Sequence, residues 1–139
     1  MVQGARPLLI VDAANVVGSV PDGWWRDRAA ATERLRDALV DVAARGVPLG
    51  DAGPLDVVLV VEGAARAVSA IDGVRVIPAP GSGDDAIVAL VRDELAGRRC
   101  VVVTADRALR ARVQAIGAAV LGPRAIRPAG PARDRGRGT

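Results

Sequence analysis

Three short apolar runs constrain this fold more than any other feature, because each has the length of one strand and lacks a polar face. They are Leu8–Val11, Leu55–Val61 and Cys100–Thr104. Such runs are typical of strands covered on both faces, as in parallel sheets. Two shorter runs, Val74–Ile77 and Ala118–Leu121, complete a predicted set of five strands, and an arginine inside the first of them favours an edge position.

Helical segments separate these runs. The longest is predicted from about Trp24 to Arg45, where Leu35, Leu39 and Val42 share one face. Others are predicted over 64–70, 84–96 and 106–116, while 16–23 reads as a loop and 49–54 as a turn. Strands that alternate with helices predict an α/β fold with a doubly wound parallel sheet and helices on both faces.

The length of 139 residues suits one domain. We predict that it spans residues 1–127 and that 128–139 form a flexible basic tail. With no His and a single Cys, the chain excludes Ser-His-Asp triads, Cys-rich zinc sites and a disulfide framework. No apolar stretch predicts a transmembrane helix or a signal peptide, so a cytoplasmic protein without membrane contacts is expected.

Carboxylates follow three of the predicted strands. They are Asp12, Glu62 and Asp106, and Asp84 and Asp85 open the helix before the fourth strand. In a parallel sheet these positions share one edge, where ligands usually bind. Such like charges repel unless a cation neutralises them, and an oxygen-only set favours Mg²⁺ or Mn²⁺. The alternative is local: Asp106 and Ser82 would be helix caps, and Asp84 and Asp85 first-turn acids.

Three segments together resemble the NYN domains of the PIN-like nuclease superfamily. Val11–Gly18 resembles the opening D-x-x-N motif, Gly83–Ile87 the acidic helix start, and Val102–Arg107 the later strand with (S/T)-x-D. The segments occur in the family's order, within residues 8–124, and the chain looks most like the bacterial YacP-type group. The resemblance implies a PIN-like five-stranded parallel sheet of order 3-2-1-4-5, with the site between the first and fourth strands.

The resemblance also implies roles for individual residues. Asp12, Asp84, Asp85 and Asp106 would bind the metal or the water that it activates. Asn15 would orient Asp12 or the scissile phosphate, and Thr104 would support the metal shell. Glu62 stands where much of the family has Asp, so it is not assigned as a ligand.

Substrate contacts are expected from arginine, because all 19 basic residues are Arg. The planar guanidinium group can bind phosphate through two N–H groups at once. The candidates near the site are Arg107, Arg110 and Arg124. Solvated surface charge is the competing interpretation. Base stacking could involve only Trp24 and Trp25, for which packing against the sheet is equally consistent.

The predicted function is that of a metal-dependent endoribonuclease acting on RNA, including ribosome-associated RNA or tRNA. The alternative is a non-catalytic RNA- or ribosome-binding module of the same fold. Oligomerisation stays open, as does a protein inhibitor if the chain is a PIN-type toxin. A dehalogenase-type phosphatase is disfavoured by Ala14 at its second Asp position, and a Rossmann domain by the lack of Gly-x-Gly.

Overall fold

We analysed a computed structural model of the protein, which describes residues 6–20, 23–47, 51–52 and 54–126. The predicted tail, 128–139, lies outside the described residues. Within the described ranges, no helix has the length and apolar character needed to cross a membrane.

The main sheet has five parallel strands. They are β1 (Leu8–Asp12), β4 (Asp56–Val61), β5 (Val74–Pro78), β6 (Cys100–Val103) and β7 (Ala119–Leu121). Their order is β5-β4-β1-β6-β7, which confirms the predicted order 3-2-1-4-5 and the edge position of β5. A separate antiparallel pair consists of β2 (Gly46–Val47) and β3 (Asp51–Ala52). Strand β3 lies in the segment 49–54, which is predicted to be a turn, and β2 directly follows the predicted helix that ends at Arg45.

In the described part of the chain, four α-helices connect the strands: α1 (Ala13–Gly18), α2 (Arg28–Arg45), α3 (Gly83–Glu94) and α4 (Arg107–Ala115). Short 3₁₀ turns occupy Trp24–Arg26, Gly63–Ala65 and Pro123–Ala125. Helices pack on both faces, as predicted. Leu9 and Val11 of β1 belong to one apolar core, which includes α2 residues, while Leu8 and Ile10 belong to the other, with residues of α3 and α4.

The loop predicted over 16–23 is partly wrong, because helix α1 begins directly after β1. The Asp12 side chain caps it by accepting a hydrogen bond from the Asn15 N–H, and Val16 is buried. The helix predicted from about Trp24 begins only at Arg28, because the Asp27 side chain caps α2 by accepting a hydrogen bond from the Ala30 N–H. The helix predicted over 64–70 is only the turn Gly63–Ala65.

Strand β1 fixes the position of the site. It pairs with β4 on one side and β6 on the other, and all five of its residues are buried. Asp12 is its last residue, so the carboxylate lies at the carboxyl edge in the centre of the sheet.

Candidate functional site

Asp12 is the buried anchor of the site, with only 5% of its surface exposed. Its Oδ2 accepts a hydrogen bond of 2.9 Å from the Thr104 hydroxyl, and its Oδ1 accepts a longer one of 3.5 Å from the Asn15 N–H. Burial raises the pKa of Asp12 from 3.8 to about 6, because desolvation and the charges of Asp84 and Glu62 outweigh these two hydrogen bonds. The folded protein therefore contains a carboxylate whose ionised form is unfavourable, and a nearby cation would stabilise that form.

Thr104 links two of the predicted acids. Its side chain is fully buried, and its hydroxyl donates to Asp12 while accepting a 3.1 Å hydrogen bond from the Asp106 N–H. The hydroxyl therefore has a fixed orientation. Thr104 supports Asp12 directly, so the structure brings these two predicted site residues together.

Asn15 joins the beginning of α1 to the loop after β6. Its Oδ1 accepts a 2.8 Å hydrogen bond from the Ala105 N–H. This bond spans the edge between β1 and β6 and keeps the Asp12 and Thr104 loops in register. In this structure the amide oxygen orients the backbone beside Thr104.

Asp106 caps α4, as the local interpretation allowed. Its Oδ1 accepts a 3.0 Å hydrogen bond from the Leu109 N–H. Its other oxygen has no hydrogen-bond partner within the described part of the chain. The cap holds the carboxylate in place without occupying both oxygens.

Glu62 is anchored to the beginning of α3. Its Oε2 accepts a 2.8 Å hydrogen bond from the Gly83 N–H, where the helix dipole favours negative charge. A Cβ on Gly83 would lie 2.3 Å from that oxygen, so only glycine leaves room for it. Sequence reasoning placed Glu62 among the carboxylates at the sheet edge but did not assign it as a ligand, and it missed this contact with α3. The signal that could have found it was a glycine directly before the two acids of α3.

Asp84 and Asp85 have different surroundings. The pKa of Asp84 is raised, first by desolvation and then by the charges of Asp106 and Glu62. No hydrogen bond or ion pair to its carboxylate occurs among the described residues. Asp85 is exposed and pairs with Arg112 at 3.1 Å, while its N–H is taken by the cap Ser82 at 3.2 Å. Asp84 is therefore the α3 acid that electrostatics couples to the rest of the site.

The three predicted substrate arginines also differ. Arg110 is half-buried, and its Nη1 donates a 3.0 Å hydrogen bond to the Thr104 carbonyl oxygen, which braces the loop after β6. Arg107 and Arg124 are exposed, and in the described ranges neither has a carboxylate partner. These two guanidinium groups can reach a ligand without breaking a protein contact.

Metal binding depends on how closely these acids are arranged. Throughout the described ranges, no three carboxylate or thiol side chains are placed so that they could hold one ion together. The candidate metal-binding atoms are nevertheless all carboxylate oxygens, and the charges of Asp84 and Glu62 raise the pKa of Asp12. Mg²⁺ takes one or two carboxylates and keeps several waters, so Asp12 and Asp84 suit it in chemistry and number.

The architecture matches solved structures. A tryptophan-to-leucine variant of Rae1 (YacP) from Bacillus subtilis matches with a TM-score of 0.70 and 18% identity, over 87% of this chain and 72% of that chain. The unsubstituted Rae1 (YacP) matches with a TM-score of 0.69 and 18% identity, over 85% and 70%. The chain has the YacP fold. No family model and no curated protein sequence matches it.

The fold expected from the resemblance to NYN and PIN-like domains is therefore confirmed. At this identity the likeness shows the fold alone. The roles of Asp12, Asn15, Asp84, Asp85, Thr104 and Asp106, and of Arg107, Arg110 and Arg124, stay predictions.

Proposed function

We propose that this chain is an endoribonuclease that depends on Mg²⁺ or Mn²⁺ and hydrolyses RNA phosphodiester bonds. One observation carries the proposal. Asp12 is buried at the carboxyl edge of the central strand, and the charges of Asp84 and Glu62 act on it there. An uncompensated group of acids at the place where α/β folds bind ligands supports a site for a cation and a phosphate.

Asp12 and Asp84 would hold the ion, and the free oxygen of Asp106 lies within electrostatic reach of Asp84. A divalent cation in such a site supplies an activated water and stabilises charge on the phosphate oxygens. Asp12 must be ionised for this role, so at metal concentrations well below saturation activity is expected to rise as pH increases through about 6. Asp85 contributes less, since Arg112 already neutralises it.

The neighbouring polar groups position the acids. The Thr104 hydroxyl fixes one oxygen of Asp12, and the Asn15 amide holds the loop that contains Thr104. Arg107 begins α4 immediately after Asp106 and is exposed, so it would contact the RNA phosphate beside the site. Arg124, exposed after β7, would add a second phosphate contact.

Cleavage of single-stranded and structured RNA tests the proposal. The wild type should cleave in Mn²⁺ or Mg²⁺ and lose activity with a chelator. Asp12→Asn keeps the shape of the side chain and should lose cleavage. Asp93→Asn, which changes an exposed acid near the far end of α3, is the matched control and should cleave normally.

Equal cleavage by Asp12→Asn and the wild type would reject the assignment. RNA binding by the wild type without cleavage in any divalent cation would favour the alternative, a non-catalytic RNA- or ribosome-binding module. Absence of RNA binding would count against both functions.

A further inference from the structure

A cavity of about 250 Å³ is lined by residues that directly follow β1 and β4. Its walls include Ala13, which follows Asp12, together with Trp24, Arg28, Thr32 and Glu62. We call this cavity the Trp24 pocket. It is smaller than the ~300–1,000 Å³ typical of pockets for drug-sized ligands, and its size suits one planar ring system.

The indole of Trp24 forms a rigid wall of this pocket. It lies against α1, where a Cβ on Gly18 would be 3.7 Å from the ring, and it meets Trp25 edge to face at a centroid distance of 6.0 Å. The guanidinium of Arg28 lies over the ring, 5.2 Å from its centroid. The ring face under Arg28 is therefore covered by one exposed planar group.

The polar groups of the pocket suit a nucleobase. One carboxylate oxygen of Glu62 accepts a hydrogen bond from the Gly83 N–H. The other oxygen accepts no hydrogen bond from any described residue, so it is available to N–H groups of a base. Arg28 has no carboxylate partner in the described ranges and can turn from the indole to a phosphate. The Thr32 hydroxyl, which donates to the Arg28 carbonyl oxygen at 2.7 Å, retains the ability to accept.

Glu62 also joins the pocket to the acids, because its charge acts on both Asp12 and Asp84. We propose that the Trp24 pocket binds one unpaired nucleobase of the RNA, stacked on the Trp24 indole, with Arg28 on the adjoining phosphate. That this RNA is then cut at Asp12 depends on the function proposed above. A base paired in a duplex cannot enter such a pocket, so the substrate is single-stranded at that nucleotide.

Tryptophan fluorescence tests the pocket without requiring activity, because Trp24 and Trp25 are the only two tryptophans. Trp25→Phe leaves the pocket indole as the sole emitter, and Trp24→Phe leaves the exposed one. Each variant is titrated in chelator with guanosine monophosphate and with ribose 5-phosphate, which lacks a base. We expect saturable quenching of Trp25→Phe by the nucleotide alone, and no saturable quenching of Trp24→Phe.

Affinity for single-stranded RNA gives a second measurement. Trp24→Leu should bind about 5- to 150-fold more weakly, the loss expected for one stacked base. Trp25→Leu, a change at a side chain that is 57% exposed and outside the pocket, should stay within about twofold of the wild type. Circular dichroism checks that both variants fold. If Trp24→Leu does not fold, the Trp25→Phe titration alone decides whether the pocket binds a base.

The two proposals fail in different ways. No quenching of Trp25→Phe, or equal quenching of both single-tryptophan variants, overturns the pocket even if RNA is cleaved. Quenching as expected, without cleavage in any divalent cation, leaves the pocket intact and overturns the nuclease. Quenching by ribose 5-phosphate as strong as that by the nucleotide would mean that phosphate alone is bound, which also overturns the pocket.

Discussion

Replacing Asp12 by Asn is expected to stabilise the folded protein while removing the proposed metal ligand. The Asp12 side chain is buried, and the charge that the site needs is costly there. Asn has nearly the same shape, and its amide oxygen can accept the 2.9 Å hydrogen bond from the Thr104 hydroxyl. The substitution removes the unfavourable charge together with the long 3.5 Å hydrogen bond from the Asn15 N–H, because only one of the two terminal atoms of an Asn side chain can accept.

The expected size follows from the pKa of Asp12, about 6 in the folded state against 3.8 ordinarily. Below 3.8 the group is protonated in both states. Between these values only the folded state keeps the proton, so stability falls as pH rises, and above about 6 the loss is complete. A difference of about two pH units corresponds to about 3 kcal/mol, or about 10 °C in Tm for a domain of this size.

Thermal and urea unfolding in chelator provide the assay. At pH 8, Asp12→Asn should exceed the wild type by up to about 3 kcal/mol, and at pH 4 the difference should nearly vanish. Added Mn²⁺ should stabilise the wild type and leave the variant unchanged, because the ion binds the ionised carboxylate. Asp93→Asn should have the same stability as the wild type at pH 8, at pH 4 and with added Mn²⁺.

The reasoning is refuted if Asp12→Asn is less stable than the wild type at pH 8 without metal. That result would mean that the Asp12 carboxylate is stabilised by its protein contacts more than it is destabilised by burial. An equal gain at pH 4 and pH 8 would also refute it, since the effect would then not come from charge.

Three further substitutions test the contacts around Asp12 and α3. Gly83→Ala should change the unfolding free energy in urea by no more than about 1 kcal/mol, because the new Cβ meets only the far end of the flexible Glu62 side chain. It should reduce cleavage, because it displaces the Glu62 carboxylate from the helix N-terminus. Thr104→Val removes a buried hydroxyl that lowers the pKa of Asp12, so the acid limb of the cleavage pH profile should move to higher pH. Asn15→Ala should cost about 1 kcal/mol in unfolding free energy, since it deletes one backbone-bound acceptor at the site edge.

Local pattern was sufficient for much of the fold. Uninterrupted apolar residues in β1 predicted a strand covered on both faces, and all five residues of β1 are buried. Short-range chemistry supplied capping by Ser82 and Asp106 as the alternative interpretation, since a cap and the N–H it accepts from are only three residues apart, and both caps form. The strand order itself came from the resemblance, because pattern alone predicts parallel strands without fixing their neighbours.

The tertiary structure decided which polar groups meet. The Thr104 hydroxyl reaches Asp12 across 92 positions, and the Gly83 N–H reaches Glu62 across 21. Residues so far apart come together through helical crossovers, whose geometry is not encoded in any local spacing. The same packing gives Asp84 and Asp85 different surroundings, since only Asp85 forms an ion pair with Arg112. It also directs the Arg110 guanidinium to the Thr104 carbonyl oxygen. Local sequence patterns determined the five strands of the main sheet and the three longer helices, and the packing of the whole chain determined where their polar side chains point.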